Sequence, residues 1–278
     1  MRAITPLGPG DEAELERFLV AHADSSMFLR QNLGLGLVDR GEPLQGTWVA
    51  ARDADGAVIA VASHNHKGNL MLQGDADAIG DVARAAVALA NREVRGLFGP
   101  CAQVAAARAA LGLTDRAARL DTREDLLALA LDELRVPPPL ADGRWSCRHP
   151  IAEDAATLAR WNHEYRIEAL GEPPSPPPSE LPPFEPQPHQ WVLVADGQLA
   201  ASSLFTSQLP DAVQIGGVYT PPALRGRGHA RAVVAGSLVD ARARGVARAI
   251  LFTANPAALA AYVAIGFRVV GDYALVVF

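Results

Sequence analysis

Cysteines, long apolar runs and lysines are all scarce in this chain, and each scarcity excludes a class of protein. The two cysteines, Cys101 and Cys147, are too few for a disulfide-rich scaffold, and we expect two free thiols in a reducing compartment. No run approaches the roughly 18 apolar residues that a membrane helix needs, and the amino terminus lacks an apolar signal core. These absences predict a cytoplasmic protein without a membrane segment.

Positive charge is in short supply as well. Acidic residues outnumber lysine plus arginine by 31 to 25, so the net charge is −6. This balance argues against nucleic acid and anionic membranes as the main partners. Lys67 is the only lysine, which we attribute to genome composition rather than to function.

Apolar residues and prolines, in contrast, are abundant. Apolar residues make up 49% of the 278 positions, enough for one large domain or two of ordinary size. Prolines cluster at residues 136–143, which are typical of a linker, and at residues 171–190, which exclude a helix or a central strand. We therefore predict domains at 1–136 and 145–278, joined by a linker at 137–144. The second cluster is predicted to form a long loop inside the second domain.

The two halves of the chain have the same outline. Each is predicted to open with a strand and a helix and to continue with two alternating apolar segments joined by a turn. The turn is residues 53–56 in the first half and Asp196-Gly197 in the second, and the latter is a strong hairpin signal. A strand, a helix, a strand, a helix and a closing strand follow in both halves. This repetition predicts an α/β fold of two tandem domains, each a mixed, mostly antiparallel sheet flanked by helices.

Residues 213–278 carry the pattern that points to chemistry. A strand at 213–220 is followed by a turn of glycine and arginine, residues 225–228, and then by a helix at 229–244. Unpaired amides and the helix dipole meet at such a junction, glycines admit a diphosphate close to the backbone, and arginines add charge. Anion binding is therefore the predicted use. A dinucleotide fold is excluded because Arg231 stands where a third glycine belongs, and a Walker loop because no lysine is near.

Two signatures in this region resemble those of a known superfamily. The turn contributes Arg225, Gly228 and Ala230, which fit the pattern Q/R-x-x-G-x-G/A. The next predicted helix contributes Asn255, Ala258, Tyr262, Gly266 and Phe267, which fit N-x-x-A-x-x-x-Y-x-x-x-G-F. Both signatures occur in order, with the predicted strand and helices between them. The region from residue 145 onward thus resembles the GNAT superfamily of acyl-CoA-dependent N-acyltransferases.

The resemblance implies where an acyl-CoA binds. The strand at 214–220 would splay from the next parallel strand through a bulge at Gly216 and Gly217, and the pantetheine arm would lie in the opening. The diphosphate would rest on the amides of the turn. Asn255 is explained equally well as a helix cap, and His229 is expected to contribute its amide rather than its imidazole. The implied coenzyme-binding residues are Val218, Tyr219, Thr220, Arg225, Gly226, Arg227, Gly228, His229, Ala230 and Asn255.

The resemblance also implies catalytic roles. Tyr262 would give a proton to the departing thiolate, and its place in the signature favours this role over that of a core aromatic. A base must take the proton of the attacking amine, and the strand at 213–220 departs from the family in having no carboxylate. Glu164 and Glu168, four residues apart on one predicted helix face, are the candidates for this base. Acids so spaced also commonly form only a solvated face.

The first half lacks both signatures. Its equivalent junction carries Asp75, Asp77 and Asp81, which would repel a diphosphate or simply cap the helix. This half therefore resembles a degenerate acyltransferase copy, kept for packing or for shaping the substrate site. His64 and His66 lie two apart on a predicted strand without a third ligand, so we interpret them as exposed polar residues and expect no metal.

The prediction for the whole chain is an N-acetyltransferase that moves an acetyl group from acetyl-CoA to an amine of a small molecule or peptide by direct attack. A longer acyl group, a thiol-sugar amine as acceptor, and a non-catalytic acyl-CoA-binding sensor are the alternatives. Phe184, His189 and Trp191 are candidates for lining the acceptor pocket or for anchoring the long loop. The expected partners are acetyl-CoA and the amine, with no nucleic acid and no membrane, and a monomer or a homodimer is expected.

Overall fold

The computed structural model describes residues 3–174 and 187–278, and the chain divides into two compact units. Unit 1 comprises Met1–Leu126 and Gly271–Phe278, and unit 2 comprises Leu127–Val270. No helix in these described ranges is long and apolar enough to cross a membrane.

The helices and strands follow the repeated order that the sequence predicts, with two further helices, α2 and α5, that it does not predict. The first run contains β1 (Ala3–Pro6), α1 (Glu12–Ala21), α2 (Met27–Leu33), β2 (Gly46–Arg52), β3 (Val58–Asn65), β4 (Asn69–Gly74), α3 (Ala76–Ala90), β5 (Gly96–Gly99), α4 (Cys101–Ala110) and β6 (Leu120–Ala130). The second contains α5 (Pro138–Ala141), β7 (Trp145–Arg148), α6 (Ala155–Leu170), β8 (Gln190–Ala195), β9 (Gln198–Gln208), β10 (Ala212–Tyr219), α7 (His229–Ala243), β11 (Arg248–Thr253), α8 (Pro256–Ala264) and β12 (Arg268–Val277).

Unit 1 is built on strands in the order β1-β2-β3-β4-β5-β12. Neighbouring strands are antiparallel except β4 and β5, which are parallel. Leu15 and Leu19, four apart on α1, pack with Trp48 in one core cluster. Ile79 and Val82 of α3 belong to a second cluster. These spacings give each helix one apolar face, as the sequence pattern predicts.

Unit 2 is built on strands in the order β6-β11-β10-β9-β8-β7. β10 and β11 are parallel, and β7, β8, β9 and β10 form antiparallel pairs. Val233 and Leu238 of α7 lie in the larger core cluster, as their helical spacing predicts. Leu158 and Trp161 of α6 form a smaller cluster with Val192 of β8. The mixed sheets and flanking helices confirm the predicted fold class.

The boundary between the units passes through β6 and β12. In β12, Ala274 pairs with Gly99 of β5 and Val277 pairs with Gly96, so the last residues of the chain complete unit 1. The predicted split follows proline content, whereas strand pairing depends on residues far apart in the sequence. The ranges 1–136, 137–144 and 145–278, taken as independent domains and a linker, stay a prediction.

His64 differs from its predicted exposure. It is 0% exposed and pairs with Leu70 across β3 and β4, so the interpretation as an exposed polar residue is wrong for His64. β3 is buried along most of its length, and strand alternation therefore does not bring every second side chain to solvent. Burial lowers the pKa of the His64 ring. His66, in contrast, is partly exposed and lies 2.6 Å from Asp39, measured from Nε2 to Oδ1.

The proline-rich stretch after α6 is described only at its two ends. α6 ends at Leu170, and the next residue, Gly171, has a left-handed backbone with φ of 62°. Residues 175–186, and with them Phe184, lie outside the described residues. Trp191 is 2% exposed, and its ring centroid lies 4.3 Å from that of Phe205. Trp191 is therefore part of the core of unit 2.

Candidate active site

β10 and β11 open away from each other at their carboxyl ends. Their parallel pairing covers Ala212 to Gln214 on β10, and the register of β10 against β9 then shifts on both sides of Gly216. Gly217 has a φ of +55°, and a Cβ on Gly216 would lie 2.5 Å from the Thr206 side chain. The two glycines thus lie at the irregularity, as predicted for a bulge that splays the strands.

A turn rich in glycine and arginine connects β10 to α7. It contains a short 3-10 segment, Pro222–Leu224, followed by Gly226 and Gly228, whose φ values are +78° and +85°. Among the backbone hydrogen bonds that join described residues, none uses the amide of Gly226, Arg227 or Gly228. These donors precede the first turn of α7, where the helix dipole is positive. The arrangement suits an anion.

Arg225 is oriented towards α6 rather than into the turn. Its guanidinium lies 2.7 Å from the carboxylate of Glu168 and donates a hydrogen bond of 3.0 Å to the carbonyl of Thr220. Both charged side chains are about half exposed, at 44% for Arg225 and 52% for Glu168. Glu168, predicted as a candidate base, is therefore the ion-pair partner of a residue predicted to bind the coenzyme.

Tyr219 and Glu164 form the shortest link between β10 and α6 at this site. The Tyr219 hydroxyl donates a hydrogen bond of 2.6 Å to Oε2 of Glu164, and Tyr219 is only 5% exposed. Burial raises the pKa of the Tyr219 hydroxyl, and its hydrogen bond to Glu164 raises it further. The hydroxyl is therefore a proton donor at neutral pH. The resemblance implied only a coenzyme-binding role for Tyr219, and no local sequence pattern connects it with a helix residue 55 positions away.

Tyr262 lies on α8 with its ring in the core. It is 5% exposed and makes an edge contact with Phe267 at a centroid distance of 6.1 Å. Burial raises the pKa of its hydroxyl, and Tyr165 on α6 adds a smaller effect of the same sign. Tyr165 is a neighbour that the sequence reasoning missed. Its spacing of four residues from Trp161 was the available signal.

Asn255 begins α8 as a side-chain cap. Its Oδ1 accepts hydrogen bonds from the amides of Ala257, at 2.9 Å, and Ala258, at 3.3 Å. The capping explanation weighed in the sequence is therefore confirmed by these two bonds. A role for Asn255 in holding the coenzyme stays a prediction.

His229 has its ring buried at the start of α7. The ring is in edge contact with Trp145 at 4.9 Å, and burial lowers its pKa. The ring also hydrogen-bonds to the backbone of Leu224 in the turn, and the expected use of the His229 amide stays a prediction. Ala230 follows on the first turn of the helix, and Val218 packs against the core from β10.

The predicted residues fall into two groups. Residues 218–230 form one continuous segment that includes Tyr219 and its bond to Glu164, whereas Asn255 and Tyr262 lie on α8. Within the described ranges there is no group of three or more histidine, cysteine, aspartate or glutamate side chains that could hold a metal ion.

Comparisons with known proteins agree on the type of domain. Residues 155–267 match the model of a family described as the acetyltransferase (GNAT) family. No curated protein matches the chain. Among solved structures, a GCN5-related N-acetyltransferase from Sphaerobacter thermophilus is similar over 99% of this chain and 94% of its own, with a TM-score of 0.57 and 18% identity.

Two further solved structures span the chain. A tandem GNAT protein from the clavulanic acid biosynthesis pathway is similar over 99% of this chain and 97% of its own, with a TM-score of 0.52 and 14% identity. A GCN5-related glucosamine N-acetyltransferase region of a fungal multi-domain GH3 β-N-acetylglucosaminidase covers the whole chain at 15% identity and a TM-score of 0.55. The chain spans 38% of that fungal protein. At such identities the similarity shows the fold.

Proposed function

We propose that the chain moves an acetyl group from acetyl-CoA to an amine of a small molecule or peptide, because residues 155–267 match the acetyltransferase (GNAT) family. The observation that carries the proposal is the turn between β10 and α7 beside the opened end of β10 and β11. In this proposal, acetyl-CoA is the acyl-donor substrate and not a resident cofactor.

The turn supports a site for the coenzyme diphosphate. Gly226 and Gly228 have left-handed backbone, so the turn can direct amides from successive residues at one anion. We propose that the amides of residues 225–230 bind the diphosphate, with the charge of Arg227 nearby. The Arg225 side chain would have to break its ion pair with Glu168 before its positive charge could also contact the diphosphate. Beside the turn, the end of β10 that does not pair with β11 offers the backbone of Val218 and the following amide of Thr220 to the pantetheine arm, while the Thr220 carbonyl accepts from Arg225.

The proposed reaction is a direct transfer. The nitrogen of a neutral amine attacks the thioester carbonyl carbon, and a carbon–nitrogen bond forms as the carbon–sulfur bond breaks. Glu164 takes the proton of the amine, and the hydroxyl of Tyr262 gives a proton to the coenzyme sulfur before it is reprotonated from solvent. The raised pKa of Tyr262 means that this proton is present at neutral pH.

Glu164 is favoured over Glu168 as the base because of their partners. Glu164 accepts a hydrogen bond from Tyr219, and its closest cation is Arg160 at 4.0 Å. Glu168 is paired with Arg225 at 2.7 Å. We propose that Glu168 holds the turn in place when the coenzyme is absent, and that Glu164 accepts the proton.

We further propose that unit 1 is a degenerate copy without a coenzyme site. Asp75 alone separates β4 from α3, and its amide already donates to the carbonyl of Ile59 at 2.9 Å. Pro100 immediately precedes α4, as Asn255 immediately precedes α8. The residue seven positions later is Ala107 in unit 1 and Tyr262 in unit 2. The described part of unit 1 thus has no counterpart of the turn between β10 and α7 and none of the proposed general acid, Tyr262.

Three finer points belong to the same proposal. The acyl group is taken to be acetyl rather than longer, and an amino sugar is one acceptor to test because the fungal relative is named for glucosamine. A cytoplasmic location is supported by the two cysteines, which are not joined by a disulfide. The alternative without catalysis is a sensor that binds acyl-CoA and turns nothing over.

Substitution of Tyr262 distinguishes a catalytic protein from one that only binds acyl-CoA. We expect Tyr262→Phe to lower kcat by about 100-fold, the usual range for loss of a general acid, with the Kd for acetyl-CoA unchanged. Thiol release would be followed with acetyl-CoA and a panel of glucosamine, ethanolamine and a short peptide. Tyr273→Phe is the matched control, since Tyr273 is also buried but belongs to unit 1. Binding of acetyl-CoA without turnover in the unmodified protein would favour the sensor.

A further inference from the structure

Tyr219 is the last residue of β10, at the end where the strand no longer pairs with β11. Its neighbour Val218 packs against the large core of unit 2, whereas Tyr219 lies in the smaller cluster with Leu158 and Trp161 of α6. The Trp161 and Tyr219 ring centroids are 6.1 Å apart. The phenol is therefore held on the α6 side of the sheet, next to the strand end where the thioester would lie.

The hydroxyl of Tyr219 has a defined donor role. Its oxygen is 2.6 Å from Oε2 of Glu164, and the raised pKa of the phenol keeps the proton on the tyrosine. A charged acceptor makes such a bond stronger than one between neutral groups. The bond joins residues 55 positions apart and fixes the rotation of the Glu164 carboxylate, whereas the other acid of α6, Glu168, is paired with Arg225.

The second oxygen of Glu164 is held less tightly. Oε1 lies 4.0 Å from Nε of Arg160, whose side chain is 58% exposed, and the Glu164 side chain is 39% exposed. One carboxylate oxygen is thus fixed by Tyr219 while the other can face an incoming amine. β10 itself has no carboxylate, and the pair brings one to the strand end from α6.

We propose that Tyr219 is a positioning residue that holds Glu164 as the proton acceptor for the amine. The inference rests on the proposed function, because it assumes that a proton leaves the amine at this site. It differs from the coenzyme-binding role that the resemblance implies for Tyr219. Glu168 has no such partner: its carboxylate is bound by Arg225 and is the more exposed of the two acids.

A double-mutant cycle tests the coupling between the two side chains. We expect Glu164→Gln to lower kcat by about 100-fold and Tyr219→Phe by about 10-fold, since the base survives but is misplaced. The double variant is expected to be no slower than Glu164→Gln alone, because Tyr219 acts through Glu164. The Kd for acetyl-CoA is expected to stay within about twofold throughout. The cycle of Tyr219→Phe with Asp240→Asn is the matched control and is expected to be additive, because Asp240 lies on α7 and is paired with Arg244.

Glu164→Asp adds a variant that leaves the tyrosine intact. It keeps the charge but shortens the side chain, so it should lose the bond to Tyr219 and reproduce the loss in kcat of Tyr219→Phe. Losses from Tyr219→Phe and Glu164→Gln that multiply would overturn the positioning role while leaving the transferase intact. So would a Tyr219→Phe protein that no longer binds acetyl-CoA. Intact binding of acetyl-CoA without turnover by the unmodified protein would overturn both the positioning role and the proposed function.

Discussion

The two strand-to-helix junctions differ more than the folds around them. In unit 1, Asp75 is the single residue between Gly74 of β4 and Ala76 of α3. In unit 2, residues 220–228 separate β10 from α7 and include two glycines with left-handed backbone. The same order of strands and helices therefore supports a direct connection in one unit and a turn with free amides in the other.

The pairs of parallel strands beside the two junctions also differ. β4 pairs with β5 from Asn69 to Met71, and a Cβ added to Gly99 at the end of β5 would lie 3.0 Å from the carbonyl of Leu72. β4 and β5 thus stay close together up to the end of β5. β10 and β11 lose their pairing after Gln214. The glycine-containing turn and the opening between the two parallel strands occur together in unit 2, which teaches that the fold alone specifies neither.

The largest expected effect comes from forcing a side chain into the turn. Gly228→Val places a β-branched residue at a φ of +85°, a strain of about 2 kcal/mol, so we expect acetyl-CoA binding to weaken on the order of 30-fold as the turn shifts. Calorimetric titration measures the Kd. Gly112→Val is the matched control in unit 1, because Gly112 has a φ of +67° and open space around a Cβ. Unchanged affinity in Gly228→Val would remove the turn from the coenzyme site.

A smaller effect is expected from removing the negative charge of the unit 1 junction. Asp75→Asn combined with Asp77→Asn takes away the repulsion of a diphosphate but restores neither the turn nor the opening between strands. We therefore expect the stoichiometry of acetyl-CoA to stay at one per chain in the same titration. A second equivalent bound by this variant would show that charge alone, not backbone geometry, separates the two junctions.

The smallest expected difference concerns the two thiols. Burial, with the charge of Asp272, raises the pKa of Cys101 to about 11, and burial raises the pKa of Cys147 to about 12. Because the thiolate is the reactive form, labelling by a disulfide reagent at pH 8 should be slow at both, about tenfold slower at Cys147, and should accelerate with each unit of rising pH. Mass spectrometry of labelled peptides measures the ratio. Rapid labelling of Cys147 in the folded protein would contradict its burial.

Local patterns were sufficient for much of the fold. The hairpin at Asp196-Gly197, the apolar face of α7 and the cap at Asn255 all depend on residues close in sequence, and each lies where the pattern predicts it. The place of the last strand, β12, beside β5 of unit 1 could not be predicted in this way. The pairing of β12 with β5 depends on residues more than 170 positions apart, such as Gly99 and Ala274.

The candidate site was predicted in part. The spacing of glycines identified the turn and the bulge, because backbone conformation depends on local residue type. The bond from Tyr219 to Glu164 and the pairing of Arg225 with Glu168 had no signal, since each joins a helix to a distant segment. His64 shows the same limit, because burial of a polar residue on a central strand depends on what covers it.

The central claim is that unit 2 alone carries an acyl-CoA site. Calorimetric titration of acetyl-CoA into the unmodified full-length protein tests it most directly. We predict saturable binding of one acetyl-CoA per chain. Binding of two equivalents would contradict the claim by giving unit 1 a site of its own, and absence of binding would contradict it by leaving the turn between β10 and α7 without its ligand.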